Sequence, residues 1–381
     1  MDLSDQIAAG FPAYEWLIDA RLNANALNIW DGDLKNHTFR MSLESTVQHL
    51  GGISSWRTDA GDQLQVLPGY VDRMLPNAVA DRDGTTHLVG MYTPLFAAVS
   101  EFAMFCFTQR GFFADIGDPS RETSPPPLDG HVPGLWHLRH TLVGGKVDDR
   151  HSAELTPRDP SRYDASLYLG YLMARFVWFH EYAHCFNGHV AYVQDQGFAL
   201  RLYEVADPSD TVKSAKQLGP RDDELRCIEL DADEAALWAS WQIQATDREN
   251  FESFAPLPQS LRKRLTLFGA YAMTWLFEEF QNFMEAQAGS THPAPYLRLQ
   301  NMLHLAQQRF VSEGDRELQE RVWREFDHIA SVIPNMYRSH DLAWDVSDPA
   351  LVGELRRLLE HLEKVRPDLA PYRYAPPGTQ R

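Results

Sequence analysis

Residues 168–188 read YLGYLMARFVWFHEYAHCFNG, and this stretch is the most informative one for the fold. Apolar side chains surround the segment Tyr168 to Phe179 on nearly all sides, which predicts a helix that runs through the middle of the protein. Upstream, Asp159 or Ser161 is suited to the N-cap of this helix, and Pro160 is suited to its first turn. We therefore expect one long, buried helix to organise the chain.

The end of this helix carries the motif His180-Glu181-Tyr182-Ala183-His184, an HExxH sequence. Residues four apart lie on the same helical face, so His180 and His184 can offer two imidazoles to one Zn²⁺. Glu181 projects close by and can take a proton from water at the metal. Polar side chains at the end of a buried helix are costly unless they are paired or bound to metal. The alternative is a buried helix whose histidines hydrogen-bond to neighbouring residues.

Zinc needs a third protein ligand and an open position for water. His189 lies beyond the expected helix end at the wrong spacing for a third histidine ligand, and we expect it to pack locally or to meet solvent. A second helix is predicted over residues 222–245, with Glu229 and Asp233 on one face. This arrangement favours Glu229 as the third ligand and Asp233 as the partner of a ligand imidazole's free N–H. The alternative is an acidic helix face in solvent.

A third polar element occupies residues 290–299, STHPAPYLRL. Its prolines end one helix and begin the next, which places His292 at the corner and Arg298 about one to two turns into the new helix. A histidine and an arginine near a zinc site can stabilise an oxyanion or hold a substrate carbonyl. The alternative is an ordinary capping loop with an arginine that faces solvent.

In this order, HExxH, ExxAD and THPxxxxR resemble the gluzincin metallopeptidases of the HtpX type, over roughly residues 160–300. The segment HEYAHCFNGH also resembles the soluble Lit phage-exclusion peptidase and the ImmA/IrrE peptidases. Asp233 fits the HtpX pattern, whereas ImmA-type proteins usually carry Asn there. The resemblance implies a zincin-like core with Zn²⁺ as cofactor. The residues it implies are His180, His184 and Glu229 as metal ligands, Asp233 beside them, and Glu181, His292 and Arg298 for catalysis.

The resemblance further implies an endopeptidase that cleaves a selective protein substrate, in phage defence or stress response. A partner protein that regulates it is a separate expectation. Two different functions stay open. One is a non-catalytic, zinc-stabilised binding or regulatory protein, although a purely structural site has no need of Glu181. The other is an aminopeptidase of free peptides, for which acidic residues near Glu229 can supply an anchor for the substrate amine.

Composition limits the remaining functions. The 381-residue chain has a formal net charge of −18, and Arg262-Lys263-Arg264 is its one short basic run, so nucleic-acid and anionic-membrane binding are not expected. No apolar stretch approaches the ~20 residues of a membrane span. Residues 1–5 lack the basic start of a signal peptide, and three cysteines without framework spacing fit a reducing compartment. We expect a cytoplasmic protein.

The cysteines raise a separate question, because Cys185 and Cys227 neighbour proposed ligands. A His/His/Glu set already satisfies zinc, so we expect both to be buried, unreactive thiols rather than ligands.

The predicted fold class is mainly α (α+β), with a zincin-like core, an active-site helix, a small β-sheet and a helical C-terminal region. The predicted regions are 1–118 for recognition or gating, 119–160 as a loop-rich junction, 161–311 as the catalytic core and 312–381 as C-terminal helices and tail. Helices are predicted at Phe11 to Trp30, Thr93 to Gln109, Leu261 to Ala286, Tyr296 to Phe310, Arg316 to Ile333 and Ala350 to Val365.

Strands are predicted at Gln63 to Leu67 and Thr86 to Val89. Zincin peptidases pair an edge strand with the substrate backbone, and either Thr86 to Val89 or Thr141 to Val143 is a candidate for that edge. We expect the tail from Ala375 onward to be frayed.

Overall fold

A computed structural model describes most of the chain. The described residues are 3–31, 37–128, 132–142, 153–196, 202–203, 222–251, 254–283, 293, 295–313, 316–333 and 349–376. Helices dominate this part of the chain, and a small sheet accompanies them, as the mainly α (α+β) class predicted. None of the described helices combines the length and apolar character that a membrane crossing requires.

The helices follow in chain order as α1 (Leu3–Leu22), α2 (His37–His49), α3 (Thr93–Thr108), α4 (Trp136–Leu142), α5 (Pro160–Phe186), α6 (His189–Asp195), α7 (Asp222–Ala245), α8 (Gln259–Phe283), α9 (Pro295–Glu313), α10 (Arg316–Val332) and α11 (Pro349–Leu369). The strands are β1 (Asn25–Leu27), β2 (Gln65–Asp72), β3 (Ala78–Asp83), β4 (Thr86–Tyr92) and β5 (Leu202–Tyr203). Short 3-10 turns lie at Ile53–Ser55, Pro119–Arg121 and Ala370–Tyr372.

The long helix α5 is the centre of the packing, as its sequence predicted. It packs against α3, α7 and α8, and against β3 and β4 of the sheet. Its side chains are buried almost continuously from Ala165 to Cys185, because apolar residues surround the helix on nearly all sides. The helix axis therefore carries the HExxH motif into the interior.

The start of α5 is fixed by polar contacts. The Asp159 side chain accepts hydrogen bonds from the backbone N–H groups of Ser161 and Arg162, and Pro160 occupies the first turn, as predicted. The fully buried Arg162 guanidinium donates to five backbone carbonyls in residues 107–116, at the end of α3 and in the segment that follows it. These bonds satisfy a buried charge and lock α5 against α3.

The sheet has the order β1-β2-β4-β3-β5, with β2 and β4 parallel and the other neighbours antiparallel. Its central strands bury both faces. Residues such as Ala80 and Val89 join the main core with α5, whereas Val79 and Leu88 face the smaller core with α1. Tyr14 of α1 packs directly on Gly69, where an added Cβ would lie 2.5 Å from its ring. The sheet is therefore an inner layer between α1 and α5.

The predicted substrate-binding edges are both wrong. Thr86–Val89 lies in β4, which pairs with β2 on one side and β3 on the other, because the β3–β4 hairpin inserts β4 into the sheet. Thr141 and Leu142 end helix α4, and Val143 lies outside the described residues. That helix forms because the buried Glu101 carboxylate accepts from the backbone N–H groups of Gly134, Trp136 and His137.

Most other elements lie within a few residues of their predicted ranges, with two exceptions. The predicted helix at Phe11 to Trp30 instead ends at Leu22, because Asn23 takes a left-handed φ of 48° and Asn25–Leu27 pairs with β2. The tail is not frayed at Ala375, whose backbone exchanges two hydrogen bonds with Arg57. The α7 helix spans Asp222–Ala245, the range that the sequence predicted.

Candidate metal centre

Helices α5 and α7 bring three donor atoms together in the interior. His180 Nε2 lies 2.9 Å from His184 Nε2 and 3.2 Å from Glu229 Oε2. His184 Nε2 lies 3.5 Å from the same Glu229 oxygen. The three residues are at most 2% exposed, and among the described residues they are the group whose donor atoms can share a metal ion. The sequence predicted these three residues, and the structure places them side by side.

The outer nitrogen of His180 faces a carboxylate. His180 Nδ1 lies 3.0 Å from Asp233 Oδ1, one turn after Glu229 on α7. Arg298 of α9 donates to both oxygens of Asp233, from Nε and from Nη2, each at 2.7 Å. Asp233 therefore stands where the sequence predicted it, between a ligand imidazole and a buried guanidinium. Such a carboxylate fixes the tautomer and the orientation of the ring.

The outer nitrogen of His184 faces a second histidine. His184 Nδ1 lies 3.0 Å from His189 Nδ1, and His189 Nε2 lies 3.2 Å from Asp231 Oδ2. Asp231 also accepts from the Asn187 side-chain amide at 2.8 Å. His189 is fully buried, so the expectation that it packs locally holds and the solvent alternative is wrong. Its ring lies behind His184 because Gly188, with φ of +82°, turns the chain back after α5.

The direction of these hydrogen bonds decides what the centre can hold. An ionised Asp233 only accepts, so His180 Nδ1 carries the proton and His180 Nε2 presents a lone pair. By the same reasoning, Asp231 orients His189, and His189 orients His184, so His184 Nε2 also presents a lone pair. The Glu229 carboxylate adds a third. One proton satisfies one of these contacts, whereas a metal cation satisfies all three, so the residues fit a bound metal ion.

The pKa values agree with a neutral His184 beside ionised carboxylates. Burial lowers the pKa of His184 to about 4, and the opposing charge of Glu229 offsets only part of this. Burial alone would raise the pKa of Asp231, but the hydrogen bond from His189 and the charges of Arg373 and Arg366 hold it at about 2. Burial is likewise outweighed at Asp233, where Arg298 lowers the pKa below its ordinary value. A neutral imidazole is the form that binds metal.

The three predicted catalytic residues differ in where the structure places them. Glu181 lies next to His180 in α5 and is 1% exposed. Arg298 is 1% exposed, so the alternative of an arginine that faces solvent is wrong, and its guanidinium supports Asp233 and lies over the Phe277 ring. Contact between Arg298 and a substrate stays a prediction. His292 lies outside the described residues.

The carboxylates of Glu229 and Asp233 on α7 and the two cysteines near the ligands are all buried. Glu229 and Asp233 are at most 2% exposed, so the alternative of an acidic helix face in solvent is wrong for these two residues. The thiols of Cys185 and Cys227 are buried, as predicted, and burial raises the pKa of Cys227 to about 12. Thiolates are the metal-binding form of cysteine, so this environment disfavours cysteine as a ligand.

Sequence reasoning missed His189 and Asp231 as parts of the centre. The signal for His189 was Gly188, which permits a left-handed turn and hence a return of the chain toward the helix end. Asp231 gave no comparable signal, because it lies two residues from Glu229 and so points away from it on α7. It joins the centre through Asn187 and His189, which follow the end of α5.

Comparisons of this chain with protein-family models, with curated proteins and with solved structures found no match.

Proposed function

We propose that this protein is a zinc-dependent endopeptidase with a gluzincin-type centre. The observation that carries the proposal is the convergence of two imidazole nitrogens from the helix that bears the HExxH motif with one carboxylate oxygen from α7. The resemblance to the HtpX, Lit and ImmA/IrrE peptidases supports the same interpretation. It adds a selective protein substrate, in phage defence or stress response.

Zinc is the metal that the donors favour. Ligands about 2.0–2.1 Å from a tetrahedral zinc ion lie roughly 3.3 Å from one another. The three separations here, 2.9, 3.2 and 3.5 Å, bracket that value. Two nitrogen donors argue against Ca²⁺ and Mg²⁺, which prefer oxygen. Three protein donors leave a fourth position, which is typical of catalytic rather than structural zinc.

The residues around this position have separate tasks. When bound, zinc supplies a Lewis acid that polarises a carbonyl and lowers the pKa of water. Glu181 is the general base that removes the proton from the attacking water and then delivers it to the leaving amine. Asp233 with Arg298 holds the His180 ring, so that Nε2 keeps its lone pair directed inward.

The substitution Glu181→Gln separates metal binding from chemistry. We expect the variant to bind as much zinc as the wild type, because Glu181 is not a ligand, and to lose peptide hydrolysis because the amide cannot take a proton. New N-termini in a bacterial lysate, quantified by mass spectrometry after addition of either protein, provide the assay. Termini that form with the wild type and not with Glu181→Gln or with chelated protein support the proposal. Equal sets of termini with the wild type and Glu181→Gln would refute it.

A second function is favoured by one observation. The three donors and Glu181 are at most 2% exposed, and such burial suits a metal that stabilises the fold. On that account the metal stabilises a binding or regulatory protein. It predicts that Glu181→Gln and wild type have the same zinc-dependent stability and that neither protein generates new N-termini.

A further inference from the structure

His189 follows the left-handed Gly188 and begins α6. Its ring lies on the side of His184 opposite to His180 and Glu229, because it contacts Nδ1 of His184 while the other two residues face Nε2. Among the described residues, His189 is not in the group whose donor atoms can share an ion. The fully buried ring therefore serves His184 rather than a metal directly.

Asp231 decides which nitrogen of His189 carries the proton. Its carboxylate accepts from Asn187 at 2.8 Å, and Arg366 Nη2 and Arg373 Nη2 lie 3.3 Å and 3.7 Å from its oxygens. Donors and positive charges thus surround Asp231 and keep it an ionised acceptor. An acceptor at His189 Nε2 requires the proton on that nitrogen, which leaves His189 Nδ1 as the acceptor for the His184 Nδ1–H.

We propose that His189 and Asp231 are a positioning pair that holds His184 in the tautomer with Nε2 free to bind metal. The inference deepens the proposed function and rests on the metal centre that it requires. The His180 ring is oriented in the same way by a single carboxylate, that of Asp233, which lies 3.0 Å from His180 Nδ1. The two ligand histidines are therefore supported differently, one directly and one through a second imidazole.

The pair also joins the metal centre to the C-terminal segment. Arg366 lies near the end of α11, and Arg373 follows the 3-10 turn whose Tyr372 packs against Gly188. The backbone N–H of Tyr374 donates to the carbonyl of Phe186, the last residue of α5. The segment that holds Asp231 is thus itself fastened to the end of the ligand-bearing helix.

Zinc affinity, measured by competition with a chromophoric chelator, tests the pair. His189→Leu removes both hydrogen bonds, and we expect about 10- to 100-fold weaker zinc binding, the usual cost of losing such support. His189→Gln can accept from His184 and donate to Asp231, so we expect affinity within a few-fold of wild type. Asp231→Asn keeps the shape and loses the charge, and we expect an intermediate affinity. His304→Asn, at an exposed histidine of α9, is the control and should match wild type.

The visible absorption of the Co²⁺-substituted proteins gives a second readout that packing alone would not move. We expect altered cobalt bands in His189→Leu and unaltered bands in His189→Gln and His304→Asn. Equal affinity in wild type, His189→Leu and Asp231→Asn would overturn the inference, and so would equal losses in His189→Leu and His189→Gln. A wild-type protein that binds no zinc would instead overturn the proposed function.

Discussion

Helix α5 carries two buried polar clusters, one around Arg175 and one that begins at His180. They differ in how donors and acceptors are paired. In the first cluster, Arg175 donates to both oxygens of Glu249 at 2.9 and 3.0 Å, and to Ser45 and Asn250. Tyr168 donates to the same carboxylate. Every one of these contacts joins a donor to an acceptor, and the charges of the ion pair cancel.

The second cluster brings three acceptor atoms together at its centre. The Nε2 atoms of His180 and His184 and the carboxylate oxygen of Glu229 lie within 3.5 Å of one another. Their outer partners, Asp233 and His189, draw the ring protons away from this point. Burial of polar groups therefore does not itself mark a functional site. A convergence of several metal-binding atoms at one point does, because one cation can satisfy all of them.

The largest expected effect comes from breaking the balanced cluster. Arg175→Ala leaves the Glu249 carboxylate buried without its ion-pair partner, and we expect the free energy of unfolding to fall by about 3–5 kcal/mol. Urea unfolding monitored by circular dichroism measures it. Arg321→Ala, which removes a surface pair with Glu317, is the matched control and should cost no more than ~0.5 kcal/mol. A loss below about 1 kcal/mol in Arg175→Ala would show that this cluster is not structural.

The next effect comes from metal removal, which acts on the second cluster alone. At a free zinc concentration 100 times the Kd, zinc should add about 2.7 kcal/mol to the free energy of unfolding, and a chelator should remove it. Calorimetry with and without chelator provides the measurement. In Glu229→Ala the two curves should coincide. A wild-type protein with the same unfolding temperature in both conditions would contradict the account.

A buried histidine outside both clusters, His87, makes the free energy of unfolding depend on pH. Burial, aided by Arg82, lowers the pKa of His87 from 6.5 to about 3, and its Nε2 lies 3.2 Å from the Tyr374 hydroxyl. Between these pH values only the unfolded chain takes up this proton, so stability falls as pH drops below 6.5, by up to about 1.4 kcal/mol per pH unit. His87→Gln should show a shallower slope in urea unfolding across pH 4–6.5. An unchanged slope would refute the assignment.

The smallest expected effect is a gain in stability, whereas Arg175→Ala causes a loss. In the metal-free protein, Glu229→Gln places an amide N–H beside the two imidazole lone pairs, so we expect the free energy of unfolding to rise by about 1 kcal/mol. Urea unfolding in the presence of chelator tests this, with Glu249→Gln as the matched substitution in the balanced cluster, where stability should fall. A comparable loss in both variants would remove the distinction between the clusters.

The sequence predicts the part of this site that depends on helical spacing. His180 and His184 share a face because they lie four residues apart, and Glu229 and Asp233 do so on a second helix of the predicted length. Long, periodic helices are the elements that local patterns specify most clearly. The contact between α5 and α7 is implied by the order of the motifs, through the family resemblance, and not by any spacing.

The features of the fold and the site that the sequence does not predict depend on contacts between residues far apart in the chain. Glu101 caps α4 from 33 or more positions away, so Thr141 is helical where its local sequence favoured a strand. The central place of β4 follows from its pairing with β2. Asp231 reaches His189 because the chain turns back at Gly188 after α5. Local periodicity contains no information on such contacts, which tertiary packing decides.

The metal centre is tested most directly by the zinc content of the purified protein after equilibration with Zn²⁺ and removal of unbound metal, measured by elemental analysis. We expect about one zinc per chain in the wild type and in His304→Asn, and close to none in Glu229→Ala. Zinc retained in Glu229→Ala at the wild-type level, or absent from the wild type, would contradict this expectation.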